Sequence, residues 1–559
     1  MPRVLTFQTN FNAGVLDPRL AARTDVRQYY QGAQEGTNVL AIPQGGFKRR
    51  PGMAYQATLA GESRIVSFAF NVEQTYLLAF SNNNIAVYKD GALQANVTST
   101  YTTAQLFELN FTQSADTMII VHEDHQPAKL VRGATHTSWT LSNITLTNIP
   151  TFDFGAGAEA VWSATKGWPK TAAFFEQRLW FGGSKNRPQT LWASVVADYY
   201  NFNVGTGTDD DAIDITLDTD QVNAITAVFP SRHLQVFTTG GEFYLPDSPI
   251  TPSKSAVKRQ TVFGSSSVRP VSIDGATLFI ERAGKAVREF LFSWEEEAYT
   301  SDAATIMASH LITSPVDMDA RRGTPTDDAN YVYLVNNDGT MAVFNTLRAQ
   351  GIAGWTKWST TGTIESVAVV VDDVYFSVKR TINSATVYYL EKADDNTYTD
   401  TNKLQTLSPA GTSVTGLAHL NGESCRVRAD GAIMDNATPS GGSITLTRNG
   451  TDVEVGLDYD ITIKTMPLNA DFQNGPILTR YKRLVRVVAD LYLSLGVYVN
   501  GTFLPDRNFG TGILGSTPVA YTGIKETYLV GWDRLAQVTI TQTDPQPFTL
   551  LGLAIEVEA

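Results

Sequence analysis

Cysteine is almost missing from this chain: Cys425 is the single one in 559 residues. No intramolecular disulfide can form and no thiolate cluster can hold zinc, so Cys425 is expected as a buried structural thiol. Histidine is scarce as well, with six residues. Charged side chains make up only 18% of the chain, which suits half-buried strands better than long solvated helices. No apolar run reaches the ~20 residues of a membrane-spanning helix. The opening Met1-Pro-Arg-Val-Leu-Thr-Phe-Gln-Thr-Asn10 has neither the apolar core nor the small-residue cleavage site of a signal peptide, so the protein is expected to stay in the cytoplasm until it is assembled.

A net positive surface is lacking too. Lys and Arg number 43 against 56 Asp and Glu, for a formal net charge of -13. That argues against a surface built to attract phosphate everywhere, because duplex binding is dominated by cations that neutralise the backbone. It suits a passage through which DNA slides, and it equally suits many ordinary acidic proteins.

Motifs of catalysis are absent from the sequence: G-x-x-x-x-G-K-[ST], H-E-x-x-H, the G-x-S-x-G elbow and paired C-x-x-C are not found, so no enzyme activity, cofactor or catalytic metal is expected. Two clusters invite a metal. His122-Glu-Asp-His125 offers two imidazoles and two carboxylates but needs a further ligand from elsewhere, and a polar strand end explains it better. The acidic stretch Asp209-Asp-Asp211 with Asp214, Asp218 and Asp220 lacks the Gly and the distal Glu of a calcium loop, and reads as a solvated acidic loop before a strand. The Ser-x-Asp-x-Gly-x-Thr-Trp box of sialidase-type propellers is not repeated, and Asn337-Asp-Gly-Thr340 is its nearest echo.

What the chain has in abundance is period-two alternation rich in Val, Ile, Thr, Tyr and Phe, punctuated by Gly, Asn and Asp from end to end. The expectation is an all-β protein with at least about 40% strand and under about 15% helix. Thr75 to Phe80 and Ile85 to Tyr88 flank Asn82-Asn-Asn84; Tyr331 to Val335 and Thr340 to Phe344 flank Asn336-Asn-Asp-Gly339. Both read as hairpins, since Asn and Gly accept the positive φ of tight turns.

Extended outward, such hairpins give units at 64–91, 106–139, 171–202, 224–246, 268–299, 317–358 and 364–392. Their length, about 25 to 45 residues, is that of propeller blades. The expected fold is a β-propeller of about six to eight blades with additional small β platform domains; the count stays open because ring closure often borrows a strand from a distant part of the chain and one of the units can lie outside the ring. Stacked β-sandwiches are the alternative. Residues 1–60 read as an N-terminal platform segment with a short helix around 25–34, residues 61–395 as the propeller, and 396–559 as C-terminal β domains packing with the N-terminal segment. Lys48, Arg49 and Arg50, beside Pro and Gly, read as a solvated or subunit-contacting basic loop. Trp355 and Trp358 are expected to pack blade faces rather than stack bases.

A resemblance runs in order along the chain. Phe11-Asn-Ala-Gly-Val-Leu-Asp-Pro-Arg-Leu20 is followed by Arg23, Asp25, Tyr29 and Gly32, then by Asn38-Val-Leu-Ala-Ile-Pro-Gln-Gly-Gly46 and Arg49-Arg-Pro-Gly52. Later come Phe175-Glu-Gln-Arg-Leu-Trp-Phe-Gly-Gly183, Pro188-Gln-Thr-Leu-Trp192, Asp198-Tyr-Tyr-Asn-Phe202, Val287-Arg-Glu-Phe290, Trp355 with Trp358, Gly416-Leu-Ala-His-Leu420 and Gly531-Trp-Asp-Arg534. In this order the pieces resemble the tail nozzle, or tail tubular protein B, family of short-tailed, podovirus-type phages. The resemblance implies a structural virion-tail subunit and a ring of six copies below the portal and adaptor, touching the adaptor protein and tail fibres or other tail proteins. Double-stranded DNA would pass through that ring during ejection without specific binding. It supplies no catalytic set. Within it, Asp209, Asp210 and Asp211, and Lys48, Arg49 and Arg50, are the candidate lumen-facing or subunit-interface residues. A tail-borne glycan-binding or glycan-degrading propeller is the alternative function.

Overall fold

The structure, a computed structural model, describes residues 3–219, 223–323, 329–469, 480–507 and 517–559, with the backbone of 471–472 and 475–476. Asp220 of the acidic stretch lies outside the described residues. Strands make up 56% of the chain and helix 4%, all of the latter short 3-10 turns among the described residues. The helix expected around 25–34 shrinks to the 3-10 turn Arg27–Gln31, because from Gly32 the backbone is already extended and paired with Gly14.

Five antiparallel four-stranded sheets follow one another along the chain, at 64–98, 110–143, 171–216, 225–261 and 271–303, and a sixth run of four antiparallel strands, at 315–358, forms one end of a ten-stranded sheet. A seventh begins with Thr363–Val370, Asp373–Ile382 and Ala385–Asp394, and takes its outermost strand, Gly52–Leu59, from the N-terminal region. The first strand of each sheet is innermost: those of blades 1 and 7 pack together and close the ring, and Ile65 N–H of blade 1 donates to Ser366 Oγ of blade 7 at 3.0 Å. The expected hairpins are there, with Asn83 at φ 56° and Gly339 at φ 79° in their turns.

Blade strands are buried on both faces, as Tyr331–Asn336 is throughout its length. The reason is that every blade is sandwiched between two neighbours, so each contact carries its own apolar cluster. Phe68 and Phe111 share the one between blades 1 and 2, Val332 and Trp355 lie in the one between blades 5 and 6, and Trp358 and Phe376 in that between 6 and 7. Leu77 and Tyr375 seal the seam where the ring closes. Trp355 and Trp358 are thus packing residues, 1% and 0% exposed.

Outside the ring, strands from the two ends of the chain mix. The N-terminal strand Arg3–Gln8 pairs antiparallel with the C-terminal strand Thr549–Glu558. That strand also pairs with Phe47–Arg49 and with Arg483–Ser494, and the latter pairs with Tyr521–Tyr528. A second sheet grows directly from blade 6: Ile352–Trp358 meets Gly14–Val15 and Gly32–Thr37, which continues into Ile461–Thr465 and Thr539–Gln542. Gly14 sits at φ +63°, and a Cβ there would lie 2.4 Å from the Trp355 nitrogen, so only glycine fits this junction. Blade 7 continues likewise, through Gly52–Leu59 into the C-terminal strands Asp400–Thr415, Ser443–Leu457 and Cys425–Ala429. Cys425 is buried.

Candidate functional site

The sequence singled out Lys48, Arg49 and Arg50 as an accessible basic loop, and the structure corrects this for two of the three. Lys48 is half-buried and paired with Asp395 at 2.8 Å. Arg49 and Arg50, alternate in the chain's path out of the platform, turn inward and are 2% and 0% exposed. A buried guanidinium survives only if most of its donors are satisfied, and here, apart from the unpartnered Arg49 Nε, they are satisfied largely by atoms hundreds of residues away. Arg50 donates to both carboxylate oxygens of Asp400, at 2.8 and 2.7 Å, and to Asn38 Oδ1 at 3.0 Å. Arg49 donates to Gln542 Oε1 at 2.6 Å and to the Tyr459 carbonyl at 2.7 Å. The Tyr459 ring lies 3.6 Å from the Arg50 guanidinium and 4.2 Å from that of Arg49.

A second buried pair completes the joint: Arg380 donates to Glu391 at 2.6 and 2.7 Å, and Thr360 donates to Asp400 at 2.6 Å. Burial by itself would push the Asp400 carboxyl up; the charge and hydrogen bonds of Arg50, with Arg380 and Thr360, hold it below its ordinary value. Gly52 belongs to the same joint, since a Cβ there would meet the Thr399 carbonyl at 2.5 Å. The residues that ran together as Arg-Arg-Pro-Gly therefore knit blade 7 to the platform.

Asp209, Asp210 and Asp211 lie between the third and fourth, outer strands of blade 3, away from the propeller axis. Asp211 folds the loop upon itself, its Oδ2 accepting the N–H groups of Thr206, Gly207 and Thr208 at 3.1, 2.9 and 2.8 Å. Those backbone bonds, that of Thr208 foremost, hold its carboxyl below the ordinary range. Arg178 supports the loop from beneath, donating to the carbonyls of Asp209, Asp211 and Ser194. Asp209 and Asp210 are exposed, and Asp210 Oδ1 accepts the Thr208 hydroxyl at 2.9 Å. The loop is thus a fixed surface with two exposed acidic residues.

His122 and His125 face each other across a hairpin turn of blade 2. His122 Nε2 lies 3.1 Å from Glu108 Oε2, and its Nδ1 accepts the Asp124 N–H at 3.0 Å. His125 Nε2 lies 3.1 Å from Gln105 Oε1, and burial, reinforced by the neighbouring His122, pulls its pKa down. Among the described residues no group of three or more His, Cys, Asp or Glu is placed to hold a metal ion.

The sequence did not flag the axial cavity, about 400 Å³, into which the innermost strands of several blades open. Asp317 and Asp319 share one face of Pro315–Arg321 because they are two apart on a strand. Asp317 accepts Ser366 Oγ–H at 2.5 Å and faces Arg64 at 3.9 Å; Asp319 accepts the Val369 N–H at 2.7 Å. Burial raises both carboxyls, that of Asp319 to about 6. It lowers the guanidinium of Arg269, over the Phe111 ring at 4.6 Å, to about 10. The Asp-x-Asp spacing is a signal that sequence reading could have used; the arginines opposite, from blades 1 and 5, carry none.

No family model matches the chain, and no curated protein does. Solved propellers do. The WD40 repeats of RRP9 are 10% identical at a TM-score of 0.39, covering 62% of this chain and 99% of theirs. The WD40 β-propeller domain of Doa1 is 9% identical at 0.35, covering 62% and 98%. Overlap this loose adds nothing to the blade assignment, which stands on the strand pairing. The chain is a β-propeller protein with further β-sheets built from both its ends. Among the described residues no helix is long and apolar enough to cross a membrane.

Proposed function

We propose that this protein is a non-enzymatic structural subunit of a short-tailed phage tail, a nozzle-type subunit of which six copies close into a ring that conducts DNA below the portal and adaptor. One observation carries this reading. The residues of the resemblance, scattered along the sequence, converge on a few load paths: Asn38, Arg49, Arg50 and Gly52 on the joint between blade 7 and the platform, Gly14 and Trp355 on that between blade 6 and the platform. A family whose members must keep a propeller and a platform as one stiff body needs those residues and no catalytic set. Rings of fixed bore arise from heterologous contacts that return on themselves, and a stiff protomer sets that bore.

Virion tail is the proposed location, with the adaptor and fibre proteins as neighbours and duplex DNA as a passing cargo that is not bound specifically. Imaging the purified chain by electron microscopy tests this directly: closed rings with a central opening wide enough for duplex DNA are expected, and a monomer at all concentrations would overturn it.

A second reading has one observation in its favour. Asp317 and Asp319 open into the axial cavity with raised carboxyls, as a glycan-degrading tail propeller would require of an acid. Both, however, accept backbone N–H groups that tie blade 6 to blade 7. Release of reducing sugar from host-surface polysaccharide, lost in Asp319→Asn, would favour this alternative.

A further inference from the structure

The platform sheet has two open edges. In the order Arg3–Gln8, Thr549–Glu558, Arg483–Ser494, Tyr521–Tyr528, every neighbouring pair is antiparallel. Among the described residues no strand pairs with the outer edge of Arg3–Gln8 or of Tyr521–Tyr528. Unpaired edges are a liability that proteins blunt with proline, bulges or outward lysines. Neither strand contains proline, and the lysine of the second, Lys525, turns inward to Asp506 at 3.3 Å. Apolar side chains stand exposed on both: Leu5 (44%) and Phe7 (64%) on one, Ile524 (64%) and Tyr528 (66%) on the other.

Charge on the outer face alternates from edge to edge. Glu526 pairs with Arg486 at 3.3 Å, Arg486 with Glu556 at 3.3 Å, and Glu556 with Arg3 at 3.4 Å. The ladder starts on an acid at one edge, where Glu526 Oε1 also accepts the Tyr528 hydroxyl at 3.3 Å, and ends on a base at the other. Strand direction alternates as well: with four antiparallel strands, the two edge strands run in opposite senses. A rotation about an axis inclined to the strands, as in a tilted barrel, preserves those senses and supplies the four-residue offset that the register below requires, since Glu526 lies level with Phe7 of its own copy through Val488 and Ala554. It therefore brings Tyr521–Tyr528 of one copy antiparallel to Arg3–Gln8 of the next, with the outer faces continuous.

We propose that these two edges join between neighbouring copies, so that the platform sheets fuse into one β-sheet running round the ring, with Arg3 of one copy opposite Glu526 of the next and Leu5 opposite Ile524. This register extends the charge ladder by one rung and covers two exposed apolar side chains in the same step. It also gives backbone donors and acceptors on both edges their missing partners. The inference rests on the ring proposed above and names its seam. The partner is a second copy of this chain, because the two edges match each other in sense, charge and apolar position.

Cysteine pairs test it, since directly opposed residues on antiparallel strands come within disulfide range and the native Cys425 is buried. Leu5→Cys with Ile524→Cys, oxidised mildly in the assembled protein, should give covalent multimers on a denaturing gel. Phe7→Cys with Glu526→Cys, which the register holds apart, should give at least tenfold less. A charge swap gives an independent reading: Glu526→Arg should weaken ring formation at least tenfold by mass photometry, and adding Arg3→Glu should restore it. Rings that form normally in Glu526→Arg and fail to cross-link through Leu5 and Ile524 would overturn the seam while leaving the ring intact. A wild-type chain that stays monomeric would overturn both.

Discussion

Arg50 and Asp400, 350 residues apart in the chain, meet through two hydrogen bonds of 2.8 and 2.7 Å with neither side chain exposed. Removing one partner leaves the other charge buried and unpaired, which costs about 3–5 kcal/mol. Arg50→Met and Asp400→Asn should each lower the denaturation midpoint accordingly, and Arg50→Met with Asp400→Leu together should lower it less than either. Arg50→Lys should not rescue, because one ammonium cannot replace the fork that also reaches Asn38. The Asp400 carboxyl is depressed in the fold, so its contribution is present above the ordinary carboxylate range near pH 4 and is lost as pH falls through the lower folded value. Single variants with unchanged urea midpoints would show that the pair does not hold the joint.

Asp319 titrates in the opposite sense. Its folded value is raised to about 6 from 3.8, so the native state holds a proton that the unfolded chain has lost, and stability falls as pH rises from about 4 to about 6. Arg269, Asp317, Arg64 and Arg322 line the same cavity. Asp319→Asn keeps an acceptor for the Val369 N–H but cannot ionise. Relative to wild type the variant should gain stability across that interval, by up to ~3 kcal/mol, as read from unfolding midpoints at pH 4, 6 and 8. A difference independent of pH would contradict the raised value.

In the acidic loop the three aspartates should separate by role. Asp211→Ala removes the acceptor of three N–H groups and should loosen residues 205–211 to proteolysis while the blade survives. Asp209→Lys with Asp210→Lys should leave the loop folded. If those two carboxylates face the bore, the double variant should slow DNA ejection from assembled particles, most at low salt where screening is weakest. Unchanged ejection at low ionic strength would place the loop on the outside of the ring.

His122→Ala and His125→Ala should leave assembly intact, and chelator should not change the melting temperature, because each imidazole is already engaged by its neighbours in the turn. Stoichiometric zinc in the purified wild type, lost in both variants, is the outcome that would reverse this.

The blades were readable because their signals are local. An Asn or Gly at positive φ between two alternating runs, as at Asn83 and Gly339, announces a hairpin wherever the rest of the chain lies. The fate of Arg49 and Arg50 was hidden for the opposite reason. Nothing within ten residues distinguishes a solvated arginine from a buried one, since the groups that satisfy these two are Asp400, Tyr459 and Gln542. Gly52–Leu59 shows both sides: its alternation marks a strand, but its partner, Ala385–Asp394, is set by ring closure. The axial Asp317 and Asp319 sit two apart, a readable pattern, yet only the ring reveals that this face meets Arg64 and Arg269.

The pairing of Arg3–Gln8 with Thr549–Glu558 also constrains how the protein is born. At ~5–20 residues per second of ribosomal synthesis, Leu5 and Phe7 wait roughly half a minute to two minutes before their partner strand has been made. Blade 7 waits in the same way, because its outer strand emerges among the first sixty residues and its inner ones some three hundred later. Blades 1 to 6 can form in sequence as they leave the exit tunnel, each from its own residues. The nascent chain is therefore an open arc trailing an unpaired N-terminal strand with Leu5 and Phe7 uncovered until Thr549–Glu558 has been made.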